Sequence, residues 1–168
     1  MKTKQFFTTL LIFAFVILSL SNGYAQSVGI NSTGAISNPT AMLHVDVGTS
    51  STKGLLVTGT ATYPAYVPNL GAGSRLMFYP GKSAFRAGIV YGTQWDDANV
   101  GYYSSAMGSN TTASGSSCTA MGSNTTAGGS SSTAMGIGTN ASGDYSTAMG
   151  NSTIANGILS TAMGNNTT

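Results

Sequence analysis

Glutamate is absent from this chain, and charged residues make up only 6% of it. Paired-carboxylate acid–base chemistry would therefore have to use aspartate alone. The sequence also has no basic patch for the phosphates of a nucleic acid, so nucleic-acid binding is excluded from the function classes considered. Low charge beside abundant serine, glycine and asparagine is also typical of disorder, and the regularity described below argues against that interpretation.

Histidine occurs once, at His44, and lies two residues from Asp46 in a predicted strand. No Gly-x-Ser-x-Gly elbow is present to complete a Ser-His-Asp set. We interpret His44 as a surface strand residue and predict no catalytic residue, so the chain is not expected to be an enzyme.

Residues 1–25 have the three parts of an export signal: two lysines, an apolar run over residues 6–20, and small residues at Gly23 and Ala25. The run is short for a membrane span of about 20 residues, and no cysteine follows it to carry a lipid. Cleavage before Gln26 leaves four basic residues against four aspartates, a net charge of 4 − 4 = 0. The sequence therefore predicts an exported chain, secreted or at the cell surface or outer membrane, with no membrane span after cleavage.

An Ala-Met-Gly unit, preceded by a hydroxyl residue, recurs five times from position 105 onward, at a constant period of fourteen. The predicted structural core of these repeats is Ala106, Ala120, Ala134, Ala148 and Ala162, Met107, Met121, Met135, Met149 and Met163, and Gly108, Gly122, Gly136, Gly150 and Gly164. A weaker Ala-x-Gly beat follows in the second half of each unit. Two half-units with turn residues indicate two short strands and two turns per repeat, and the composition disfavours a helix.

The prediction is therefore an all-β fold, in which residues 104–168 form a parallel β-roll, or solenoid, with one coil per repeat. Stacked at about 4.8 Å, five coils would align the methionines in a ladder roughly 19 Å long. We expect small alanine and glycine to let the backbone run close to the axis, while one thioether per coil fills the remaining gap. So thin a roll buries little surface, and we expect it to pack against copies of itself.

The Ser-Thr-Ala-Met-Gly phrase with its second Ala-x-Gly resembles the head repeat of trimeric autotransporter adhesins, the YadA-like head. This resemblance covers residues 105–168 and implies a left-handed β-roll, a homotrimer and a surface adhesion role. In such a trimer three copies of Cys118 could not all pair with one another. Because Cys118 stands where the other units carry serine, we interpret it as a small buried thiol.

Residues 26–103 are predicted to form an irregular β-rich cap and connector that shields the first coil. Alternation predicts a strand over Met42–Val47, and a second short strand is predicted at Lys53–Val57. Residues 60–69 carry two prolines and are predicted to be extended loop. A hairpin is predicted around Pro80–Ser83, with glycine available for positive φ in the turn.

Three acidic or amide residues, Asp96, Asp97 and Asn99, offer oxygens to Ca²⁺, but their spacing matches no calcium loop. We interpret them as a capping turn or a solvated acid pair, and predict no metal or other cofactor. Trp95 is expected to be buried at the junction with the first coil. The opening Val-Gly-Ile-Asn and the Gln-Trp-Asp-Asp lead-in (residues 94–97) also resemble exported proteins of the Bacteroidetes type, which place YadA-like repeats before a chaperone domain of the endosialidase type. That resemblance implies that the sequence is truncated before a C-terminal anchor or chaperone domain.

The leading hypothesis is a non-enzymatic, homotrimeric adhesin whose uncharged head binds matrix, host or neighbouring-cell surfaces through many weak polar contacts. Two alternatives remain open. One is a structural shaft, like a fibre or tail spike, for a C-terminal module. The other is ice or polymer binding by a file of threonines at Thr119, Thr133, Thr147 and Thr161.

Overall fold

The computed structural model describes residues 28–31, 43–46 and 55–168. The chain divides into two compact units, residues 1–56 and 57–168. In the first unit, β1 (Val28–Asn31) pairs in parallel with β2 (Leu43–Asp46). The strand predicted over Met42–Val47 is thereby confirmed in its central part. The predicted signal sequence lies outside the described residues.

The second unit begins with a strap, residues 57–72, that forms no strand. The short strand predicted at Lys53–Val57 is wrong for its described part, since residues 55–57 are exposed and pair with nothing. The loop predicted over residues 60–69 is confirmed. Side chains hold this strap in place: the backbone N–H of Ala65 donates to the Tyr102 hydroxyl, at 2.8 Å, and that of Val67 donates to the Asp97 carboxylate, at 2.7 Å.

The predicted hairpin is present. It consists of β3 (Gly73–Tyr79), a 3₁₀ turn (Pro80–Lys82) and β4 (Ala84–Val90), paired antiparallel. The left-handed residue of the turn is Ser83, with φ 48°, rather than the glycine that the sequence offers. A second 3₁₀ turn, Asp97–Asn99, leads into the repeats.

Each of the first four coils of the roll contributes one longer and one shorter strand, as the two half-units predict, and the last coil contributes a longer strand. The longer strands are β5 (Ser105–Ser109), β7 (Thr119–Ser123), β9 (Thr133–Ile137), β11 (Thr147–Asn151) and β13 (Thr161–Asn165). The shorter strands are β6 (Thr112–Ala113), β8 (Thr126–Ala127), β10 (Asn140–Ala141) and β12 (Ile154–Ala155).

These strands form two parallel stacks in which equivalent residues of successive coils are paired. The long strands extend the hairpin into a seven-stranded sheet of order β3-β4-β5-β7-β9-β11-β13, and the short strands form a four-stranded sheet of order β6-β8-β10-β12. Only the β3–β4 pair in the larger sheet is antiparallel. This arrangement confirms the predicted all-β parallel solenoid. Within the described ranges, no helix has the length and hydropathy needed to cross a membrane.

The interior of the roll consists of small side chains stacked in columns. Two columns are alanine, one is threonine, and one is serine interrupted by cysteine. The buried alanines and hydroxyl or thiol residues are Ala106, Ala120, Ala134, Ala148 and Ala162; Ala113, Ala127, Ala141 and Ala155; Thr111, Thr125, Thr139 and Thr153; and Ser104, Cys118, Ser132 and Ser146. Side chains of this size bring the two sheets close together, which is why so short a coil can close.

The Ala-Met-Gly glycines allow the coils to stack. Gly122 has φ +121°, and a Cβ placed on it would lie 2.0 Å from the carbonyl oxygen of Gly136 in the next coil. Any other residue at this position would therefore meet both backbone strain and a backbone clash.

Candidate functional site

The methionines form one continuous file on the outer face of the seven-stranded sheet. Met107, Met121, Met135, Met149 and Met163 are paired in register from each long strand to the next. The file confirms that equivalent residues of successive repeats lie over one another. The side chains, however, are placed differently from the expectation that a thioether fills the interior, because the alanine beside each methionine is the residue that points inward.

Neighbouring coils partly bury each methionine. The first four methionines of the file are only partly exposed, whereas Met163, on the last coil, is 59% exposed. On the same outer face, a file of hydroxyl residues runs beside the methionines: Ser105, Thr119, Thr133, Thr147 and Thr161 are likewise paired in register. The face thus presents a row of thioethers beside a row of hydroxyls.

Cys118 takes the place of serine inside the roll, as predicted. Its thiol is 1% exposed and lies 2.9 Å from the Gly115 carbonyl oxygen, as the Ser132 hydroxyl lies 2.7 Å from that of Gly129. Burial raises the pKa of the Cys118 thiol, and the nearby Arg86 guanidinium only partly offsets that effect. At neutral pH the group is therefore a buried thiol and not a nucleophilic thiolate.

Arg86 closes the N-terminal end of the roll, a role that the sequence did not reveal. It pairs in register with Ala106, and its fully buried guanidinium donates to the carbonyl oxygens of Ser104 and Ala113, at 2.9 and 3.0 Å. Burial lowers the pKa of Arg86 to about 10, so the group stays charged at neutral pH. The guanidinium adds a second, charge-assisted hydrogen bond to carbonyls that already accept from the Phe85 and Gly101 backbone N–H groups.

Trp95 covers the same end of the roll. Its side chain is fully buried, as expected, and its indole N–H donates to the Thr111 carbonyl oxygen at 2.9 Å. In the following coils the equivalent oxygen accepts from a backbone N–H, as Thr125 does from Thr112. The indole N–H therefore takes the place of the backbone N–H that a preceding coil would supply to the Thr111 carbonyl oxygen.

The acid pair considered for calcium belongs to the cap. The Asp97 carboxylate accepts from the Lys82 ammonium at 2.8 Å, and Asp96 accepts from the Gly71 N–H at 2.9 Å. The hydrogen bond from Lys82, with that from the Val67 N–H, holds the pKa of Asp97 below its ordinary value. In the part of the chain that the structure describes, no three His, Cys, Asp or Glu residues gather as metal ligands would.

His44 and Asp46 both lie on β2, and their side chains are outside what the structure describes. A feature that sequence reasoning missed is a cavity of about 350 Å³ beside the first coil, lined in part by Tyr63, Tyr102 and Tyr103. The sequence signal for this cavity is the pair of adjacent tyrosines, Tyr102 and Tyr103, which stands directly before the first repeat in a region otherwise rich in serine.

The fold and the columns define the class of this protein: a parallel β-solenoid whose interior columns repeat once per coil. Residues 100–125 and 127–153 match the family model described as YadA head domain repeat, in two copies. Each matched range spans nearly two coils, so this part of the chain consists of YadA head domain repeats, as the resemblance predicted. Comparison with curated proteins and with solved structures gave no match. The YadA head is an adhesin fold of exported surface proteins and is not a known enzyme family.

Proposed function

We propose that this chain is an exported, non-enzymatic adhesin whose head is a homotrimer of β-rolls displayed at the cell surface. Three rolls pack through the methionine file, and the remaining polar faces bind host, matrix or neighbouring-cell surfaces. The observation that carries the proposal is the in-register file of five methionines on the outer face of the seven-stranded sheet.

The file suits an interface between identical chains. Five stacked thioethers form an apolar row roughly 19 Å long, at about 4.8 Å per coil. Methionine adapts its shape to an apolar neighbour, and apolar surface of this kind gains free energy when it leaves water. A three-fold arrangement would bury three such rows against one another and would complete a core that a single roll is too thin to provide.

The polar exterior suits multivalent attachment. Three of the four outward positions of the four-stranded sheet, Thr112, Thr126 and Asn140, carry hydroxyl or amide groups and no charge, and the fourth is Ile154. A single contact of this kind is weak, but a trimer presents each face three times and raises the effective concentration of the second and third contacts.

Substitution of Met135 by aspartate, in the middle of the file, tests the trimer. In a single roll the new carboxylate stays partly exposed, so the roll itself should fold. In the trimer it would be buried without a partner, at a cost of about 3–5 kcal/mol per site. Light scattering should give the mass of three chains for the native protein and of one chain for Met135→Asp.

The matched control is Thr126→Asp, which places the same charge on an outward position of the other sheet. This variant should keep the mass of three chains. The same mass for the native and Met135→Asp proteins, or a native protein that stays a single folded chain, would contradict the trimer.

The threonine file supports a second candidate, binding to ice or to a flat polymer. Thr119, Thr133, Thr147 and Thr161 repeat at strand spacing and give a regular hydroxyl array. Thermal hysteresis of the purified protein, lost on Thr133→Val and Thr147→Val substitution, would favour this function over adhesion. Absence of hysteresis would eliminate the ice-binding form.

A further inference from the structure

A partly open cavity of about 350 Å³ lies where the strap meets the hairpin turn and the first coil. Its lining residues come from these three elements: Thr62 and Tyr63 from the strap, Gly81 from the turn, and Tyr102, Tyr103 and Ser116 from the coil. The volume is at the lower end of the range of about 300–1,000 Å³ that small-molecule sites occupy.

Three tyrosine rings dominate this cavity. Tyr63 and Tyr103 are 88% and 62% exposed, and their ring centroids lie 5.6 and 6.2 Å from that of Tyr102. Tyr102 is held in place, because its hydroxyl accepts from the Ala65 N–H at 2.8 Å. A fixed central ring flanked by two exposed rings provides aromatic faces that the described residues leave uncovered.

The cavity carries no free charge. Its lining residues in the described part of the chain are alanine, threonine, tyrosine, glycine and serine, with no Asp, Glu, Lys, Arg or His among them. The nearby Lys82 ammonium lies 5.7 Å from the Tyr102 ring, but it is buried and already bound to Asp97 and to two backbone carbonyls. An anionic ligand would therefore find no unpaired positive charge here. A cation held by the ring faces would meet the Lys82 ammonium already beside Tyr102, so the site suits a neutral ligand.

We propose that this cavity binds one ring of a neutral sugar. The face of a pyranose presents C–H groups, which pack against the electron-rich faces of aromatic rings, while its edge presents hydroxyls. Thr62, Ser116 and the exposed tyrosine hydroxyls supply donors and acceptors for that edge. A neutral sugar thus matches both the aromatic faces and the hydroxyl rim of the cavity.

This inference deepens the proposed function, since it names a ligand class for the same head. Only the biological role of sugar binding rests on the proposed adhesion. The cavity is built within a single chain, so sugar binding is independent of the methionine file. Failure of the trimer would appear in light scattering, whereas failure of the sugar site would appear in ligand titration.

The repeat itself supplies a matched pair of variants. Tyr103 occupies a turn position with φ 59°, which Ser117 and Ser131 occupy in the next two coils with φ 57° and 54°, and Tyr145 in the third with φ 57°. Tyr103→Ser therefore removes the ring at a position where serine is already accepted. Tyr145→Ser makes the same change three coils away from the cavity.

The experiment is saturation-transfer NMR and titration calorimetry on the full mature chain, with glucose, galactose, mannose and N-acetylglucosamine as probes. For at least one sugar we expect a dissociation constant on the order of 1 mM, appropriate to a ligand of this size. Tyr103→Ser should weaken binding about tenfold or more, and Tyr145→Ser should leave it unchanged.

Three results would overturn the proposal. One is the absence of saturation transfer to every sugar. Another is equal binding by the Tyr103→Ser and Tyr145→Ser variants, which would place the sugar elsewhere. The third is binding of a hexaproline peptide in place of the sugars, which would make the aromatic cluster a polyproline site.

Discussion

Adjacent glycines in the second coil give the sharpest test of the stacked geometry. A Cβ on Gly129 would lie 2.1 Å from the Gly143 carbonyl oxygen, whereas a Cβ on Gly128 would meet nothing closer than 3.9 Å. Neither glycine adopts a left-handed φ, so alanine causes no backbone strain at either position. The two substitutions differ only in what lies above them in the roll.

The cost of Gly129→Ala follows from that distance. Carbon–oxygen contacts are ordinarily about 3.3 Å or longer, so the new methyl group would have to push two coils apart by roughly 1 Å. Overpacking costs about 1–3 kcal/mol where side chains can yield. Here the obstacle is backbone, and weakening the Gly128–Ala141 and Gly129–Ala141 hydrogen bonds adds about 1 kcal/mol each. We expect a loss of about 3–5 kcal/mol in total.

Thermal unfolding followed by circular dichroism measures this difference. The midpoint should fall by about 6–20 °C for Gly129→Ala, given about 2–4 °C per kcal/mol for a chain of this size. Gly128→Ala should raise it slightly, because alanine restricts the unfolded chain and stabilises by about 0.4–1 kcal/mol. Coincident midpoints for the two variants would refute the stacking geometry.

Further predictions concern the interior, the cap and export. Cys118→Ser should change the free energy of unfolding by less than about 1 kcal/mol, because serine fills that column in the neighbouring coils; a larger loss in chemical denaturation would contradict the equivalence. Arg86→Met should cost about 2–4 kcal/mol in the same assay, since it removes buried charge-assisted hydrogen bonds to Ser104 and Ala113, and an unchanged midpoint would show that the charge is dispensable. Lys82 holds the pKa of Asp97 low, so the stabilisation from this ion pair is present above about pH 4 and is lost as pH falls through the folded-state pKa. Asp97→Asn should therefore make the melting temperature fall less steeply on acidification, and an unchanged slope would show that Asp97 does not contribute to it. Mass spectrometry of the exported chain should find Gln26 at its N-terminus, and a retained leader would refute cleavage.

The constant period was enough to predict the stacking, since it fixes which residues of successive coils are paired. The side to which each residue points also follows from the sequence, because neighbours on a strand face opposite ways. Ala120 and Met121 cannot both be interior, and the smaller one is the one that fits between closely spaced sheets. The methionines were expected in the interior because they are hydrophobic, although the alternation along each strand already places them on the outer face.

The N-terminal cap could not be read from the sequence in the same way. Gly88 stands over Gly108 in the stack, but the chain between them is longer than one repeat. Arg86 therefore does not stand at the fourteen-residue spacing of the repeats, and an arginine in a strand is ordinarily assigned to the surface. Its burial depends on carbonyls contributed by Ser104 and Ala113, whose approach only the folded chain reveals.

The uniform register of the roll also bears on how such heads change over generations. Removing residues 119–132 would set Ala106 against Ala134 and Met107 against Met135, and every column would close without a gap. A whole coil can thus be duplicated or lost through recombination while the rest of the protein keeps its shape. The length of the roll is then inherited as a copy number, in steps of about 4.8 Å.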